Sequence, residues 1–107
     1  MIILFADKNL EDECNNMKLL RRWQGDIRAK KIRQRLDDLT AATCLEDMKT
    51  LPGRCHELTG DRSGQLSLDL DHPWRLIFKP ADEPPALKPD GGIDWKNVRI
   101  VVICILR

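Results

Sequence analysis

Two short alternating runs constrain this chain more than any other feature. In Gln65–Leu70, Leu66, Leu68 and Leu70 alternate with Gln65, Ser67 and Asp69. In Trp74–Lys79, Trp74, Leu76 and Phe78 alternate with Arg75, Ile77 and Lys79. A period of two sends successive side chains to opposite faces, so each run reads as a strand with one face on a core. Asp71-His72-Pro73 is the turn between them. Upstream, Cys55–Leu58 is a shorter extended segment. It is joined through Thr59–Gly64, where Gly60 and Gly64 bracket Asp61 and Arg62 in a tight turn. Both histidines, His56 and His72, and two arginines, Arg62 and Arg75, fall at strand ends and turns. Those are the places where a sheet presents side chains to a ligand.

The rest of the chain supplies the other layer. Ile2–Phe5 is a short strand candidate. Asp7 can cap a helix that Leu10, Cys14, Met17 and Leu20 carry to about Trp23, with Glu11, Asp12 and Glu13 favouring its start. After Gly25, Asp26 can cap a second helix to about Ala41. Ala29, Ile32, Leu36 and Leu39 form its apolar face; Arg28, Lys31 and Arg35 form an adjacent polar face. The two helices make an antiparallel hairpin. Cys44–Leu51 reads as a last helical turn, ended by Pro52-Gly53. Pro80–Asn97, with four prolines and two adjacent glycines, is an exposed excursion. Val98–Leu106 is the strongest strand, and its continuous apolar run places it centrally with both faces largely covered. One strand, two helices, then mostly strands predicts an α+β fold with the helices packed on one sheet. At 107 residues the chain is a single domain.

Composition excludes several classes. Hydrophobic residues make up 42% and charged residues 33%, which is a folded, soluble composition rather than a disordered one. The net charge of +1 provides no bulk attraction to nucleic acid. The charge is instead local: Lys18, Arg21, Arg22, Arg28, Lys30, Lys31, Arg33 and Arg35 fall in one stretch with only Asp26 against them. The cysteines at 14, 44, 55 and 104 are widely spaced without a Cys-x-x-Cys pair. That spacing predicts reduced thiols in a cytoplasmic protein and no zinc site. Met1–Phe5 is too short for a signal sequence or a membrane span.

The candidate site residues each have a plain alternative. Arg75 is either a solvent-facing strand arginine or an anion-binding one, whose planar fork suits phosphate. Arg62 either pairs with Asp61 in the turn or makes a second phosphate contact. His56 is either an edge histidine or an acid–base group facing the same surface, imidazole being the side chain that changes charge near neutrality. His72 fits a role in the turn itself. The basic helix face reads as solvated surface. No phosphate loop, metal motif or nucleophile elbow is present. A histidine with several arginines is sufficient to cleave RNA, because the substrate's own 2′-hydroxyl is the nucleophile. The same kit fits a plain phosphate-binding surface.

Leu58–Phe78, LTGDRSGQLSLDLDHPWRLIF, carries two motifs at a defined separation: Gly60-Asp61-Arg62-Ser63-Gly64 and Trp74-Arg75-Leu76-Ile77-Phe78. Together they resemble the plasmid-maintenance killer proteins, the HigB-like branch of the RelE/ParE toxin superfamily. The order of elements extends the resemblance over essentially the whole chain. It implies a RelE-like fold, with two N-terminal helices on a mostly antiparallel sheet of four to five strands. It also implies a ribosome-dependent, metal- and cofactor-independent mRNA endonuclease, neutralised by an antitoxin with a helix-turn-helix domain and free of membranes. Carried over by position, Arg75 would stabilise the scissile phosphate, His56 would act as acid or base, and Arg62 would assist. Arg28, Lys31 and Arg35 would hold ribosomal RNA. Some family members have a lysine where this chain has Thr59. Members commonly close the last strand with a histidine-containing triplet; here Ile105-Leu106-Arg107 stands there, so Arg107 would supply charge. A non-catalytic partner-binding copy of the fold and a ParE-like gyrase poison are the rival readings.

Overall fold

The computed structural model describes residues 1–106; Arg107 lies outside them. Five strands form one sheet in the order β1-β5-β4-β3-β2. They are β1 (Ile2–Phe5), β2 (His56–Glu57), β3 (Leu66–Asp69), β4 (Arg75–Pro80) and β5 (Ile100–Leu106). The pair β1–β5 is parallel and the others are antiparallel. Three helices, α1 (Lys8–Cys14), α2 (Met17–Gln24) and α3 (Asp26–Ala41), connect β1 to the remaining strands. The α+β arrangement is the expected one.

The helical region differs from expectation at one point. The first predicted helix is two, broken at Asn15–Asn16. Asp7 caps α1 through Leu10 N, and Asn16 caps α2, accepting from Lys18 N and Leu19 N. An asparagine side chain competes for backbone donors and so restarts a helix rather than continuing it. Gly25, at φ 81°, caps α3, so Asp26 is its first residue and not its cap. The predicted turn after α3 is a 3-10 turn, Leu45–Thr50.

One face of the sheet packs on the helices. Leu66, Leu68, Leu76, Phe78, Val101 and Ile103 meet Leu20, Ala29, Ile32, Leu36 and Leu39 in the core. The alternation in β3 and β4 and the apolar face of α3 thus serve the burial that their periods require. The opposite face has no helical layer. Strand β5 is internal, but the coverage expected on both its faces is absent: the neighbouring Ile2 and Leu4 and its own Ile105 are exposed. Its apolar run belongs to a sheet whose helical layer lies on one side, with Ser67 and Ile77 buried within the other.

Two arginines of α3 hold the end of the sheet rather than facing solvent. Arg35 is only 5% exposed, and its Nε donates to the Asp69 carbonyl at 2.9 Å. Arg28 makes a two-pronged pair with Asp71, at 3.0 and 3.1 Å, and stacks over Trp74 at 4.0 Å. The expected RNA-binding face of Arg28, Lys31 and Arg35 is corrected accordingly. The spacing of three and four turns Arg28 and Arg35 toward the turns at the sheet end, and only Lys31 is left without a hydrogen-bond or ion-pair partner among the described residues. Gly53, at φ +108°, lies flat against Arg35; a Cβ there would sit 2.7 Å from Arg35 Nε and 3.1 Å from Leu68 Cδ2.

Gly53→Ala combines that clash with backbone strain and is expected to destabilise by at least about 1 kcal/mol. Arg35→Ala, which empties a buried site and strands the Asp69 carbonyl, should cost about 1–3 kcal/mol. Shifts in denaturation midpoint measure both. All four cysteines are free thiols. Burial pushes the Cys14 thiol up to about 11 and the Cys55 thiol up to about 12. The unfolded chain ionises these thiols first, so stability is full below the ordinary thiol range and falls as pH rises through 9 toward 11–12. Cys14→Ala should flatten that fall in alkaline denaturation.

Candidate active site

The open face of the sheet is built in rows. Antiparallel partners point to the same side, so the register assigns each side chain to a row. At one end, Asp69 of β3 stands beside Arg75 of β4. The middle row runs His56–Ser67–Ile77–Ile105 across β2, β3, β4 and β5. At the far end, Lys79 of β4 stands beside Val102 of β5, and the register of Leu66 with Phe78 brings Gln65 level with it on the other side. A register shift in β5 opposite Ile77 and Phe78 inserts Cys104 between Ile103 and Ile105.

Arg75 is exposed and has no hydrogen-bond or carboxylate partner among the described residues. Its neighbour Asp69 is already engaged by Arg54, through Nε at 2.9 Å and Nη2 at 3.4 Å. With the nearby carboxylate neutralised, the Arg75 fork is free for an external anion. A pocket of about 320 Å³ opens here, with Arg54, His72 and Trp74 around Arg75.

His56 is oriented by the backbone. Gly53 and Arg54 both have left-handed φ, +108° and 50°, and the resulting turn aims the Arg54 carbonyl at His56 Nδ1, 2.7 Å away. A carbonyl oxygen only accepts, so Nδ1 carries the proton. In the neutral ring Nε2 then holds the lone pair, which is the form of a general base. His56 and Arg75 are separated by one strand, about 10 Å across the sheet, so they flank a group bound between them and do not touch.

Arg62 projects from the 3-10 turn Gly60–Arg62 and its Nη1 donates to Gln65 Oε1 at 3.0 Å. The anticipated ion pair with Asp61 is not made. Glu57 points to the other face, as alternation requires, and accepts from Trp95 Nε1 at 3.0 Å. Arg107 lies outside the described residues. The structure thus gathers His56, Arg62 and Arg75 on one open face and keeps Arg28 and Arg35 apart from it. Among the described residues no cluster of three or more His, Cys, Asp or Glu side chains could hold a metal ion.

Two residues of this face are not among the sequence candidates. Lys79 shares the alternation of Arg75 and Ile77, which was visible in the sequence. Ser67 sits in the middle row, fully buried, and its Oγ has no hydrogen-bond partner among the described residues. A serine in a strand is too ordinary to be singled out before its register is known.

No protein-family model matches the chain. No curated protein matches it in sequence. Solved structures do match in fold. The YoeB/ParE toxin from Agrobacterium tumefaciens aligns over 100% of this chain and 96% of its own, with TM-score 0.61 and 11% identity. The YoeB of the YoeB–YefM complex from Staphylococcus aureus aligns over 100% and 94%, with TM-score 0.60 and 17% identity. The YoeB dimer from the same organism aligns over 97% and 91%, with TM-score 0.55 and 18% identity. The chain therefore has the fold of YoeB/ParE toxins.

Ser67→Ala removes a buried hydroxyl that has no partner and is expected to raise stability by about 1–3 kcal/mol. Chemical denaturation of the two proteins side by side measures the change.

Proposed function

We propose that this chain is the toxin of a toxin–antitoxin pair, a ribosome-dependent endoribonuclease of the HigB-like branch that cleaves mRNA in the cytoplasm without a metal. The observation that carries the reading is Arg75: an exposed, unpartnered guanidinium on the open sheet face, with a correctly oriented imidazole one strand away. The shared fold with YoeB/ParE toxins supports it, and so does the paired motif at Gly60–Gly64 and Trp74–Phe78. That YoeB is found with YefM supports a cognate antitoxin as the protein partner; the resemblance makes that antitoxin a helix-turn-helix protein.

In this reaction the substrate's 2′-oxygen attacks phosphorus while the bond to the 5′-oxygen breaks. His56 Nε2 takes the 2′-hydroxyl proton. Arg75 binds the phosphoryl oxygens as their charge grows, and Arg62 adds positive potential from the turn. The leaving 5′-oxygen takes up a proton from solvent or from the imidazolium. Arg107 would contribute further charge, and Lys31 a contact to ribosomal RNA.

Induced expression should arrest growth and produce mRNA ends within translated codons. Arg75→Ala should abolish both, with a loss of at least 100-fold in cleavage, roughly the scale of one transition-state charge contact. His56→Ala should lower cleavage and leave ribosome binding in place. DNA damage without mRNA ends would point instead to a gyrase poison. Antitoxin binding by a wild-type protein that produces neither would identify a non-catalytic copy.

A further inference from the structure

The proposed chemistry is centred on the Arg75 end of the open face, with Arg62 acting from a distance, yet a second cationic end lies beyond the middle row. Lys79 is exposed and has no hydrogen-bond or carboxylate partner among the described residues. It lies on the same strand and face as Arg75, four residues on, which is about 13 Å at the rise of a β-strand. Gln65 stands level with Lys79 across β3 and holds Arg62 by the 3.0 Å bond from Nη1. The register sets Lys79 between Gln65, which holds Arg62, and Val102 beside the β5 bulge, so the two cations share this end of the face. Between the two ends Ser67 and Ile77 are buried, and Ile105 is the exposed apolar member of the row. One phosphodiester cannot span from Arg75 to Lys79.

We propose that Lys79, with Arg62 beside it, forms a second phosphate subsite, so that the substrate is a single strand lying along β4 with one phosphate at Arg75 and another at Lys79. The strand between the two phosphates passes the exposed Ile105, with His56 at the β2 edge. This rests on the RNA-cleaving reading above and adds to it a direction and a minimum length for the substrate. Lys79 is here a binding and positioning residue. A flanking contact adds affinity to every strand long enough to reach it and nothing to a shorter one.

The test measures binding of non-cleavable 2′-O-methyl oligonucleotides of two, three, four and five residues to the full chain, by fluorescence anisotropy. The wild type should show a step in affinity, roughly tenfold, once the strand carries the second phosphate in reach. Lys79→Ala should remove that step and leave dinucleotide binding as in the wild type. Lys79→Arg should restore it. The salt dependence of the longest strand should lose about 0.7 in slope on removal of Lys79. Arg75→Ala should weaken all lengths alike. Equal binding of wild type and Lys79→Ala at every length, with the Arg75→Ala loss intact, overturns the second subsite alone. No binding of any oligonucleotide by the wild type also overturns the subsite, whereas absence of mRNA ends on induction is what overturns the RNA reading.

Discussion

Asp69 is the joint on which the site depends. Its backbone N–H donates to the Gly53 carbonyl at 2.7 Å, its carbonyl accepts from Arg35 Nε at 2.9 Å, and its carboxylate takes Arg54. One residue at the end of β3 therefore ties together helix α3, the Leu51–Arg54 turn and the sheet. That turn aims the Arg54 carbonyl at His56, and the pairing of Asp69 with Arg75 sets the position of the proposed phosphate ligand. Buried hydrogen bonds to a guanidinium are strong and leave a costly orphan when broken. The histidine and the arginine thus inherit their geometry from the same small network.

The division of the cations follows from the two faces of the sheet. Those on α3 that point inward are used for structure: Arg28 clamps Asp71 and Trp74, and Arg35 is buried against Gly53. On the uncovered face Arg54 and Arg62 are engaged by Asp69 and Gln65, and Arg75 and Lys79 have no partner among the described residues. A chain of net charge +1 can in this way carry a cationic strip. Electrostatic recognition depends on which charges are left unpaired on one surface, and not on their sum.

Much of this was legible before the coordinates. The period of two in Gln65–Leu70 and Trp74–Lys79 identified β3 and β4 and the face that Arg75 occupies, because burial of one sheet face permits only that alternation. The apolar face of α3 was legible for the same reason at a period of 3.6. The break at Asn15–Asn16 was hidden, since Leu10, Cys14, Met17 and Leu20 keep helical spacing across it. The burial of Arg35 was also hidden. A basic residue beside an apolar stripe is ordinarily solvated, and its acceptor here is a backbone carbonyl thirty-four positions away.

By itself the sequence determined the strands, the long helix and the paired turn and strand motifs that suggest a toxin of this superfamily. These depend on neighbours a few residues apart, where periodicity and turn chemistry act directly. Tertiary structure decided which cations are free, which way His56 holds its proton, and that β1 closes the sheet parallel to β5. The free cations and the β1–β5 pairing depend on residues far apart in the chain, and the local Arg54–His56 contact depends on a turn that distant Asp69 holds. Register and burial, which no local pattern encodes, choose the partner.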